Sequence, residues 1–162
     1  MMKGLKMAGV LASSMVLMAC SSSNGAQSAS QGDIWQSPGQ VMLAETPAKL
    51  DSYLWLNSMP VVGDGDNLQG ALLASVKVVS ATNKALPTDV TVKQVLLATD
   101  DQQWLANSQL EVNAMDNNEF EVMLRKGPNW PVGSAVDIAV TLRFQGQEMT
   151  LTQRQVKIDQ VF

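Results

Sequence analysis

Chemistry at an enzyme site needs side chains that attack, carry protons or hold a metal, and this chain of 162 residues supplies few of them. It has one cysteine, Cys20, and no histidine. A lone thiol can serve as a nucleophile, half of an intermolecular disulfide, a metal ligand or an attachment point. The missing imidazole excludes a triad that uses histidine as its base and any histidine-ligated metal. Carboxylates remain. Asp64, Asp66 and Asn67 crowd together in "GDGDN", but a calcium loop needs further oxygen ligands and a distal glutamate at set spacing. Asp100 and Asp101 form another turn pair. Glu119 and Glu121 share one face of a predicted strand, as residues on a solvated sheet face do. Beyond residue 19, the five methionines, Met42, Met59, Met115, Met123 and Met149, form no M-x-x-M cluster suited to soft copper. No catalytic residue, metal set or cofactor is expected, and the chain reads as non-enzymatic.

The surroundings of Cys20 are more informative. Lys3 and Lys6 precede an apolar stretch, Met7 to Met18, which is of signal-peptide length and short for a bilayer span. Leu17, Met18 and Ala19 then run directly into Cys20. This ending resembles the lipobox of bacterial lipoproteins: an aliphatic residue, a tolerant position, a small residue, then cysteine. Met18 is a less usual occupant of the second slot. The resemblance spans residues 1 to about 23. It implies cleavage before Cys20, acylation of its sulfur and new amino group, and partnership with a lipid bilayer. Two or three buried acyl chains, at about 0.8 kcal/mol per methylene, make release negligible. Ser21, where an aspartate favours retention at the inner membrane in such proteins, implies the outer membrane of a bacterial envelope, facing either the periplasm or the cell surface.

Charge agrees with that setting and argues against others. Loss of residues 1–19 removes two lysines and no acid, so the formal charge of −4 becomes −6. Such a chain lacks the lysine and arginine excess that neutralises phosphates, so no nucleic-acid partner is expected. Residues 20–52 are expected to form a linker, because their Ser-, Gly-, Ala- and Gln-rich start buries too little apolar surface to order itself. Within it, Ile34, Trp35 and "QVMLAETPAKL" interrupt the polar run. They are expected to dock on the domain or form a loose turn, with a partner-binding peptide as the alternative.

From Tyr53 to Phe162 the texture is that of strands. In "SAVDIAVTLRF", Val136, Ile138, Val140, Leu142 and Phe144 fall on one face. Phe120, Val122 and Leu124 do the same in "NEFEVMLRK". About seven strands are predicted, near 53–59, 70–80, 90–98, 102–105 with 108–114, 118–125, 134–144 and 148–160. Two of them change phase, which places bulges near Gln94 and between Gln153 and Gln155. Asp116-Asn117-Asn118 and Gln145-Gly146-Gln147 suit tight turns with positive φ. The expected fold is all-β: a single antiparallel β-sandwich. "GPNWPVGSAVDIAVTLRF" resembles the bend and penultimate strand of immunoglobulin-like and fibronectin type III-like domains. The cysteine pair and corner tyrosine of antibody domains are absent, and a transthyretin-like sandwich fits the same strand count. Trp130, between Pro128 and Pro131, is the candidate loop contact for a ligand.

The sequence therefore points to a membrane-anchored envelope lipoprotein that binds or supports, with an envelope protein as the expected partner. The alternative is an accessory lipoprotein, a pilotin or stabiliser, of a secretion or surface-assembly machine.

Overall fold

Alternation of apolar and polar residues produces nine strands in a computed structural model, which describes residues 34–58 and 70–162. They are β1 (Gln40–Leu43), β2 (Thr46–Asn57), β3 (Leu72–Ser80), β4 (Thr91–Ala98), β5 (Gln103–Ala106), β6 (Glu111–Ala114), β7 (Phe120–Gly127), β8 (Ala135–Phe144) and β9 (Gln147–Val161). The sheet order is β5-β4-β8-β9-β2-β3-β7-β6, with β1 also beside β2. Neighbours pair antiparallel except β2 and β9, where Leu54–Asn57 lie parallel to Ile158–Val161. This one parallel pairing departs from the expected antiparallel pattern. The strands form one curled, mixed sheet, because the last strand, β9, returns beside β2.

The concave face holds the core. Leu54, Val76 and Val122 from one half meet Val95, Val140 and Leu142 from the other in a single buried cluster. Each sits on the inward parity of its strand, as the alternation of side chains across a strand requires. Both foreseen bulges are present. Val92 faces Leu142 and Gln94 faces Thr141, so Lys93 is the extra residue. On β9, Gln153 faces Ile138 and Val156 faces Val136, which leaves Arg154 and Gln155 opposite Asp137. Gln155 takes φ 60°, and its N–H donates to Asp137 Oδ1 at 2.9 Å. The carboxylate thereby satisfies an amide that the bulge removes from the ladder. A third bulge, where β3 and β7 shift between Leu72 and Ala74, was not foreseen. Asn117, Asn118, Gln145 and Gly146 all have positive φ, as their turns demand.

The linker boundary also moves. Residues 40–43 and 46–52, expected in the linker, are β1 and the first half of β2, and Leu43, Ala48 and Leu50 enter the core. Upstream, Ile34 packs on Leu96 and Ala139 on the convex face of the sheet, with Trp35 beside it. The ring of Trp35 lies 5.4 Å from the Arg154 guanidinium, and Asp137 holds that cation at 3.0 Å. Thr152 fastens the strap to β9: its N–H donates to Pro38 O at 3.0 Å and its hydroxyl to Ser37 O at 2.8 Å. Docking of Ile34 and Trp35 on the domain thus has a local cause: apolar Leu96 and Ala139 receive Ile34, and Arg154 receives the Trp35 ring.

At the other side of the sheet, among the described residues, β5 pairs only with β4 and β6 only with β7. The link between them, residues 107–110, crosses from one half to the other, with Gln109 at φ 51°. Trp104 of β5 closes this crossing by lying against Gly127 at the end of β7. A Cβ on Gly127 would sit 2.5 Å from Trp104 Cζ3. Gly127→Ala is therefore expected to overpack the seam and lower stability by about 1–3 kcal/mol. Urea denaturation monitored by tryptophan fluorescence measures this, and an unchanged midpoint would contradict the tight fit.

Candidate functional site

Outward-facing positions on β2 carry the most chemically distinctive exposed group. Leu54 and Leu56 point into the core, so Tyr53 and Trp55 must point out. Their rings stack at 5.3 Å between centroids with 23° between planes. Tyr53 is 47% exposed. The register sets their neighbours: Ser75 lies opposite Tyr53, and Leu73 and Asp159 lie on either side of Trp55. Glu121, one strand further on, accepts a hydrogen bond from the Ser75 hydroxyl. The result is an aromatic pair on a sheet face, bordered by carboxylates and a hydroxyl. Stacked rings with polar groups beside them bind through apolar contact and fix orientation by hydrogen bonding.

Electrostatics link the pair to the last strand. Partial burial of the phenol raises the Tyr53 pKa above its ordinary 10.0, and the adjacent Asp159 charge and a hydrogen bond to it raise it further. An anion disfavours formation of a second anion beside it. The folded state therefore holds this proton more tightly than the unfolded chain. The resulting stabilisation is complete below the unfolded value and disappears as pH rises through the folded one.

The sequence-predicted residues fall elsewhere. Leu17, Met18, Ala19 and Cys20 lie outside the described residues, as does "GDGDN". Trp130 is described, and its expected role as an exposed loop contact is corrected: it is 3% exposed and belongs to the core. Its indole N–H donates to Gln102 Oε1 at 2.6 Å. The flanking prolines fold the loop back, so that the large ring gains burial and the one polar atom gains a partner. The depression beside it is lined by Thr99, Asp100, Asp101, Gln102, Pro131 and Ser134, with Trp130 against the core. Asp101 is engaged by the Thr99 hydroxyl at 3.1 Å. Glu119 and Glu121 do share the convex face, but each serves its own neighbour, Glu119 accepting from Ser80 N at 2.9 Å. Among the described residues, no three acidic, histidine or cysteine side chains gather to hold a metal.

The outward placement of Tyr53 and Trp55 is not among the sequence-based expectations. The signal was present: aromatic residues at 53 and 55 interleave with leucines at 54 and 56. In a half-buried strand, only one of those sets can be inside. No protein-family model, curated protein or solved structure matches this chain.

Tyr53 is the only tyrosine, so ultraviolet titration of phenolate reads it alone. The midpoint is expected above 10.0, and Asp159→Asn should lower it toward that value while leaving the part due to burial. An unmoved midpoint in the variant would rule out the coupling.

Proposed function

We propose that this chain is a lipid-anchored protein of the bacterial envelope whose β domain is a non-catalytic binding module. The observation that carries the reading is the run Leu17-Met18-Ala19-Cys20, which ends an apolar stretch preceded by Lys3 and Lys6. Cysteine chemistry supports it by elimination, since the chain holds no second thiol and no imidazole. An aromatic pair on an open sheet face is a contact suited to binding.

We also read the fold as a member of the immunoglobulin-like class. Cut between β2 and β9, the strand order becomes 2-3-7-6 and 9-8-4-5. With β2 as strand A, these are the A-B-E-D and G-F-C sets of that class, extended by one short strand. The bend before β8 and the strand-switching link between β5 and β6 agree with this assignment.

Anchoring at Cys20 constrains where the domain works. Thirteen residues lie between the anchor and the strap at Ile34, and the fourteen Cα-to-Cα steps reach at most about 50 Å. The strap therefore stays within that distance of the bilayer. Any partner is therefore expected in the membrane or close to its surface.

Cys20→Ser tests the anchor. Labelled palmitate should be incorporated into the parent and not into the variant, and the variant should leave the membrane fraction. A variant that remained with the outer membrane would overturn the lipid as the main attachment.

A further inference from the structure

β6 is the terminal strand of its half-sheet, and all four of its residues are exposed. Its backbone directions follow from the hairpin to β7. Met115 N donates to Glu119 O at 2.8 Å. Backbone groups alternate along a strand, so Glu111 and Asn113 also face β7, and Val112 and Ala114 turn their N–H and C=O to the open side. The side chains are as telling. Val112 lies opposite fully buried Val122 on the concave face, yet is itself 48% exposed. It borders an open apolar groove with Val90, Met115 and Phe120. An edge with free backbone groups and an uncovered apolar residue is a template for another strand.

We propose that β6 is the contact strand of a reversible two-fold dimer, pairing antiparallel with β6 of a second copy and centred on Val112. The side chains favour a second copy because this register is self-complementary. Val112 meets its own equivalent, and Leu110 meets Ala114, so apolar residues oppose one another on the concave face. On the convex face Glu111 meets Asn113, a carboxylate against an amide able to donate to it, and no like charges stand opposite. Arg125 already pairs with Glu111 at 3.1 Å and lowers its pKa, which keeps that carboxylate charged as an acceptor. A strand of four residues buries little area, so the dimer is weak and forms with rising concentration.

Disulfide trapping tests the register in the full chain. A Cys20→Ser background makes any introduced thiol unique. Val112→Cys places two thiols on Cα atoms about 5.5 Å apart across the dimer, whereas Asn113→Cys separates them by about 8.5 Å, beyond disulfide reach. Under mild oxidation the first should form covalent dimer about tenfold faster than the second, as this difference in reach implies. Val112→Pro deletes an N–H that faces away from β7, so it should spare the fold and hold the protein monomeric in sedimentation experiments while the parent associates. A parent that stays monomeric at every attainable concentration overturns the proposal, as does cross-linking through position 113 that matches position 112. Should Val112→Pro melt early in circular dichroism, the comparison of the two cysteine variants decides.

Discussion

The parallel contact between β2 and the end of β9 is the constraint on which the architecture rests. Parallel neighbours cannot be joined by a tight turn; here everything from β3 to β9 acts as the connection. Four register pairs, Leu54–Ile158 through Asn57–Val161, join a half-sheet made early in the chain to one made late. Without them the two halves would each leave an apolar face in water. With them, Leu54 and Ile158 become fully buried neighbours in a core shared by both halves. The length of β2 follows from the same requirement. Its first part pairs with β1 and its last with β9 on one side, while β3 runs along the other.

Such long-range closure explains which parts of the fold were legible in the sequence. Alternation reports which side of a strand is buried, and it located β3, β4, β7, β8 and β9 well, including two bulges visible as phase changes. It says nothing about partners. No local pattern distinguishes a strand that pairs parallel from one that pairs antiparallel, so the β2–β9 contact was invisible. Pro47 and the charged residues Glu45, Lys49 and Asp51 disguised the start of β2 as linker. A proline in a strand usually signals its absence or an edge. Here, its carbonyl still accepts from Ala81 N at 2.8 Å, and the missing N–H costs little at the end of the strand.

The candidate site shows the same limit from another direction. Trp130 was conspicuous because two prolines flank it, and prolines mark loops. A loop can nonetheless turn its largest side chain inward, which Gln102 makes affordable by receiving the indole N–H. Tyr53 and Trp55 drew less notice because aromatic residues in a strand suggest a core. The leucines between them had already filled that place. The face a residue occupies decides whether it is open to contact, and parity was enough to give that face once the strand was recognised.

The strap on the convex face has a mechanical meaning. Thr152 binds Ser37 and Pro38 before the chain enters β1, and β1 lies against β2. In the sheet order, β9 and β2 are the central pair. A pull on the chain ahead of Ile34 is thus delivered to the middle of the sheet, where each strand has neighbours on both sides. The outer strands, β5 and β6, lie off that load path. They can part from or join other surfaces without loosening the strap.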